Sequence, residues 1–315
     1  MVPHDRETPT FTYAADTQRD ALRLTKAARG LPDKTDGRLL AGTWNLTNFG
    51  EQDRTDQDLE LMAEIIGWFD LLAVQEIADD LGQLRKLMQH LPAGYRVLLS
   101  DIGGNRERAG FIYDSGRVDL LELAGEVAVP PSDHRYIRMK GVSGQYRGFD
   151  RNPYFAAFRA GPMTVTAVSA HLFFGGSSYV HVDRRTLEAY ALARWADLRH
   201  RATQAYSQNV LVMGDMNLPK RDLASSVYKA LTKRGLILPP HSTSVGGALA
   251  TDHEYDQIGF HAGALKNAFT GSVGVFDFDR RPFFEDAWDR SSSYFFAAVK
   301  RHIADHRPLW VEFAV

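Results

Sequence analysis

The chain of 315 residues contains no cysteine. That excludes a disulfide framework, a thiolate zinc site and a cysteine nucleophile, and it fits a reducing compartment. An excess of one charge is lacking too: 37 Lys and Arg stand against 39 Asp and Glu, a formal net charge of -2. Such a balance gives no global attraction to nucleic acid, although a local basic rim and a bound cation can offset an acidic body. No apolar run approaches the roughly 20 residues that span a bilayer. The opening MVPHDRETPT has neither a basic region nor an apolar core, so no signal peptide is expected. These absences lead us to expect a soluble, cytoplasmic protein with no membrane association and no obligate protein partner.

What is present lies in the patterning. Residues 1–38 are polar and read as an N-terminal extension, within which Leu22, Leu24, Ala27, Ala28 and Leu31 recur at helical spacing. Gly30 and Pro32 end that helix. Residues 39–315 read as one domain. LLAGTWNL and DLLAVQ are short apolar strands, and between them Leu59, Met62, Ile65, Ile66 and Phe69 mark one helix face. A second helix aligns Leu81, Leu84, Leu87 and Leu91. The strands YRVLLS, AGFIYD, RVDLLEL, PYFAAFRA and MTVTAVSA follow, the last two joined at Gly161-Pro162. Helices are expected over 184–205 and 222–234, with strands NVLVMG, EYDQIGFH and RPLWVEFAV. Hairpin-linked strands among helices suit an α/β (α+β) sandwich of two mixed sheets with outer helices.

Polar residues recur where those strands end. Asn45, Glu76, His171, Asp215 and Asn217 each lie at or just past the end of an apolar strand, where loops on a rigid scaffold carry function. In GDMNLP, Gly214 permits a tight backbone path. Asp215 and Asn217, two apart, project to one side in extended geometry. In ADHRPLWVEF, the adjacent Asp305 and His306 can serve two different partners. The remaining histidines, His253 and His261 among them, read as surface or core residues. Phe155, Phe158, Phe173 and Phe174 read as packing aromatics and not as a stacking platform, and Arg108 as a structural partner of nearby carboxylates.

Together, AGTWNLTNFG, DLLAVQEI, NRERAGFIYD, FDRNPYFAAF, TVTAVSAHL, VLVMGDMN, YDQIGF and ADHRPL resemble, in order, the motif set of the endonuclease/exonuclease/phosphatase superfamily. The deoxyribonuclease I-like branch is the most similar, and the likeness runs from about Leu39 to Val315. It implies a four-layer α/β/β/α sandwich and a divalent cation, usually Mg2+, sometimes Mn2+ or Ca2+. It further implies Glu76, Asn45 and Asp305 at the metal, and His171 and His306 as catalytic histidines oriented by Glu107 and Asp256. Asp215 and Asn217 match the pair that positions water and scissile phosphate, and Arg151 matches an arginine reaching a substrate phosphate. The implied activity is metal-dependent phosphodiester hydrolysis, with DNA as substrate for an endonuclease or exonuclease. The alternative is a lipid or small-molecule phosphoester.

The sequence departs from that branch at two minor-groove positions. Ala78 stands where an arginine is frequent, and Asn105 where a tyrosine is. Arg135, Arg138, Lys140 and Arg147 in the long basic loop 129–147 are candidates for a replacement phosphate-binding rim.

Overall fold

The computed structural model describes residues 13–241, 243, 245–251, 253–280 and 295–315. Residues 1–12 of the N-terminal extension, with His4, lie outside the described residues.

One sheet is built from β1 (Arg38–Phe49), β2 (Leu71–Ala78), β3 (Tyr95–Leu99), β4 (Glu107–Asp114), β10 (Phe269–Val275) and β11 (Leu309–Ala314). Its order is β10-β11-β1-β2-β4-β3, and β1 and β2 run parallel. The other holds β5 (Asp119–Glu126), β6 (Tyr154–Ala160), β7 (Met163–His171), β8 (Val210–Asp215) and β9 (Asp256–Phe260) in sequential order, with β7 and β8 parallel. Period-two alternation explains why the sheets stack. Leu39, Ala41, Leu71, Ala73 and Phe111 turn inward and meet Phe158, Val165, Leu211, Met213 and Phe260 in one buried core.

The opposite residues of β1 and β2, such as Leu40, Trp44 and Val74, face a second core. It is covered by α1 (Ala15–Ala28), α2 (Asp56–Ile66), α3 (Gly82–His90) and α7 (Phe295–His302). A third core joins the second sheet to α4 (Tyr179–Arg201) and α5 (Ser226–Thr232), while the short α6 (Ala264–Ala268) leads into β10. The layers are therefore α/β/β/α, as the resemblance implied. Phe158 and Phe155 do pack: the first is 1% exposed, and the second lies 5.2 Å from the ring of Trp195.

Element ends follow from capping. Thr55 and Asp58 form a reciprocal capping box at the start of α2. The helix expected over 222–234 begins only at Ser226. Asp222 instead bonds the amides of Ala224 and Ser225, and Ser225 accepts from Tyr228 N–H. Leu22 of α1 is fully buried, and Arg23 pairs with Glu64 of α2 at 2.9 Å. Among the described residues no helix is long and apolar enough to cross a membrane.

Candidate active site

The second sheet supplies its groups by register alone. His171 pairs with Asp215 across β7 and β8, and Asp215 pairs with Asp256 across β8 and β9, so three adjacent strands present their polar residues on one rung. The close approach behind Asp215 needs a glycine. A Cβ on Gly214 would sit 1.9 Å from the Ala170 carbonyl oxygen.

The first sheet supplies its groups through a bulge. Between Asn45↔Gln75 and Phe49↔Ile77, β1 takes four steps where β2 takes two. Thr47 (φ 56) and Asn48 (φ 43) occupy the extra length in left-handed conformation, as does the facing Glu76 (φ 59). The turn grips two carboxylates. Asn48 N–H donates to Glu76 Oε2 at 2.9 Å, and the Thr47 hydroxyl donates to Asp305 Oδ1 at 2.7 Å while accepting Asp305 N–H at 2.9 Å. Glu76 and Asp305, 229 positions apart in the numbering of the chain, are thus held by neighbouring residues of a single turn. Arg54, 5% exposed, braces it by donating to the carbonyls of Leu46, Thr47 and Ile303.

The two halves meet at Asp215. Its Oδ2 lies 3.7 Å from Nε2 of both His171 and His306, and it accepts from Asn45 Nδ2 at 3.2 Å. Each imidazole is backed by a carboxylate: His306 Nδ1 lies 2.8 Å from Asp256 Oδ2, and His171 Nδ1 lies 3.2 Å from Glu107 Oε2. The first contact is a hydrogen bond. The second is a close contact out of hydrogen-bonding line, which leaves that nitrogen without a bonded partner. Burial pulls the His306 pKa down, but Asp256, by charge and hydrogen bond, and then Asp215 and Asp305, hold it well above 6.5. Burial raises Asp215, yet the charges of His306 and His171 carry it below the usual carboxylate range. Glu107 is also held low, against burial, by His171 and Arg151.

Several expected residues are brought together with altered duties. Asn45 turns its amide nitrogen to Glu76 (2.8 Å) and Asp215, while its oxygen accepts Thr47 N–H at 2.9 Å. In this arrangement its amide nitrogen orients two carboxylates. Arg151 is only 6% exposed and donates to the carbonyls of His171 (3.1 Å) and Leu172 (3.0 Å) and to Glu107 (3.3 Å). It braces the end of β7 as well as lining the cleft. Asn217 bonds inward, from N–H to Asp215 Oδ1 at 2.8 Å and from Nδ2 to the Leu172 carbonyl at 2.7 Å.

The cleft around these groups has a volume of ≈ 590 Å³. None of Arg135, Arg138, Lys140 and Arg147 lines it. Arg108 pairs with Asp79 at 2.8 Å, the structural role expected of it. Several lining residues escaped the sequence reading, Lys300, Tyr255 and Phe174 among them. Lys300 donates to Asp305 Oδ2 at 2.5 Å, Tyr255 lies with its ring centroid 6.1 Å from that of His306, and Phe174 is 45% exposed. The packing role expected of Phe174 is therefore corrected: the FFGG loop turns this ring into the cleft. Spacing gave no signal for Lys300, whereas an apolar pair beside two glycines at a strand end was a usable clue for Phe174.

A cation fits this site. Glu76, Glu107 and His171 offer ligand atoms within 4.8 Å of one another. The carboxylates around His306 raise its proton affinity, and the Lys300 ammonium already sits on Asp305, so positive charge is stabilised here. The carboxylate oxygens of Glu76 and Glu107 are hard donors that suit Mg2+, Mn2+ or Ca2+, whereas the imidazole of His171 is a softer one, and Asp305 is not in this group of three.

No family model matches the chain, and no curated protein matches it in sequence. Solved structures do. D. rerio TDP2 complexed with a single-strand DNA product superposes with a TM-score of 0.58 at 14% identity, covering 89% of this chain and 100% of that one. A mannosyl-6-phosphatase from Bacteroides thetaiotaomicron gives 0.55 at 16% identity, covering 88% and 100%. An endonuclease/exonuclease/phosphatase family protein from the same organism gives 0.53 at 17%, covering 88% and 94%. The chain has the fold of the endonuclease/exonuclease/phosphatase proteins, the deoxyribonuclease I-like sandwich.

Proposed function

We propose that the protein is a metal-dependent phosphodiester hydrolase acting on DNA by in-line attack of an activated water. One observation carries this reading: Asp215 lies between two imidazoles, each backed by its own carboxylate. Phosphodiester hydrolysis needs a base for water, an acid for the departing oxygen and positive charge around the phosphate. Asp215, held ionised, accepts the proton of the attacking water. His306, kept protonated by Asp256, donates to the leaving oxygen or to the charge building on the phosphorus oxygens. His171, oriented by Glu107, and Arg151, with N–H donors beyond its three protein bonds, hold the phosphate alongside Asn217. A divalent cation held by Glu76 and Asp305, with Mg2+ expected, would neutralise phosphate charge and polarise the phosphorus–oxygen bonds.

A second reading is a phosphatase for a small phosphoester. Ala78 and Asn105 remove two groups that would hold a duplex groove, and one structural neighbour is named for a mannosyl phosphate. A panel of plasmid, single-stranded DNA, RNA, a sugar phosphate and an inositol phosphate, with Mg2+ and with chelator, tests both. The nuclease reading requires chelator-sensitive cleavage of DNA. Turnover of the monoesters alone would replace it with the second.

A further inference from the structure

The cleft is polar except along one wall, formed by Phe173 and Phe174 after β7 and Tyr255 before β9. Phe173 is committed to the fold. Arg184 covers its ring at 3.9 Å, and His181 meets it edge-on at 5.6 Å. Phe174 differs. The guanidinium of Arg185 lies over its ring at 5.1 Å, yet 45% of the residue stays open. Arg185 is 2% exposed and donates to the carbonyls of Asn217 (2.6 Å), Gly176 (2.9 Å) and Phe174 itself (3.2 Å). A buried cation thus fixes the backbone that displays this ring and ties it to the turn carrying Asn217.

From Phe174 the aromatic surface continues inward. Tyr255 lies 6.2 Å away, with its hydroxyl 2.7 Å from His253 Nδ1, and its ring is 6.1 Å from His306 at only 33°. A group following this surface arrives beside the imidazole placed at the leaving oxygen. Planar rings displayed next to a phosphate site take a partner with a flat apolar face. In a duplex the base faces are already covered by their neighbours. An unpaired base has a free face to offer.

We propose that Phe174 and Tyr255 form a stacking subsite for an unpaired nucleobase next to the scissile phosphate, so that single-stranded or frayed DNA is the preferred substrate. This deepens the nuclease reading and rests on it. A nucleobase suits the wall better than a sugar, because it offers a flat π face to both rings.

The test compares wild type, Phe174→Ala and Phe174→Trp on three strands of equal length: a single-stranded oligodeoxynucleotide, one with abasic residues flanking the cut, and a duplex. Catalytic efficiency is measured with Mg2+, and binding by fluorescence anisotropy in chelator. Wild type is expected to favour the base-bearing single strand. Phe174→Ala should shrink its preference over the abasic strand by about 10- to 100-fold, the usual size of one base–aromatic stack. Phe174→Trp should restore it, in binding as well as in turnover. Equal effects of Phe174→Ala on both single strands, or a wild-type preference for duplex, would overturn the subsite while leaving the nuclease reading in place. Failure of wild type to cleave any strand removes both.

Discussion

The two sheets build their halves of the cleft by opposite means. The second sheet uses regular register: His171, Asp215 and Asp256 lie on one hydrogen-bonded rung of β7, β8 and β9. The first uses irregularity. Six non-glycine residues among the described residues are left-handed: Thr47 and Asn48 in β1, Glu76 in β2, Asn105 and Arg106 in the turn before β4, and Asn217 after β8. Asn48, Glu76, Asn105 and Asn217 line the cleft, and Thr47 and Arg106 are each next in the chain to one that does. Such conformations cost of order 1–3 kcal/mol each and persist where surrounding bonds over-determine them, as those of Thr47, Asn48 and Arg54 do. The contrast teaches that a regular rung fixes the mutual spacing of His171, Asp215 and Asp256. Glu76 and Asp305 come from distant segments, and the bulged turn at Thr47 and Asn48 bonds both.

The largest effects should come from the rung. His306→Ala is expected to lower turnover at least ~100-fold, the size of a lost acid or electrostatic group. Because Asp256 and its neighbours raise His306, its protonated form persists above pH 6.5 and is lost only as pH rises through the folded-state pKa. Activity therefore falls on the alkaline side, and Asp256→Asn should move that limb toward lower pH in a pH–rate profile. An unmoved limb would detach His306 from the proton transfer.

Breaking the turn should do less and act elsewhere. Thr47→Val removes the hydroxyl that both donates to and accepts from Asp305. Metal affinity, followed by calorimetry, is expected to weaken about 10-fold, as for other residues that orient ligands, while the pH–rate profile keeps its shape. A changed profile with unchanged affinity would reverse the division between the halves.

The smallest effect lies behind the second sheet. Glu188 of α4 is fully buried, accepts Asp150 N–H at 3.2 Å and Phe173 N–H at 3.0 Å, and burial pushes its pKa from 4.5 up to about 7. Its folded form holds the proton more tightly than the unfolded chain does. The associated stability is complete below pH 4.5 and lost as pH rises through about 7, up to ~3 kcal/mol. Denaturation of Glu188→Gln should show a flatter stability profile between those values, with turnover changing little beside that of His306→Ala.

Much of the site was legible before any coordinates. Asn45, Glu76, His171, Asp215 and Asn217 lie at or just past the ends of apolar runs, and polar residues in such places betray themselves by contrast with what precedes them. What stayed hidden depended on reach across the fold. Lys300 sits on a helix face like any solvated lysine until α7 carries it to Asp305. Arg151 reads as a free phosphate donor until the carbonyls of His171 and Leu172 claim its N–H groups. Phe174 reads as packing until Arg185 props its loop open.

By itself the sequence determined the layers and the chemical inventory, because period-two and helical spacing are local and interactions between near neighbours enforce them. The tertiary structure alone decided which oxygen faces which nitrogen. A bulge, a rung and a buried guanidinium set those distances, and each is fixed by partners far away in the chain.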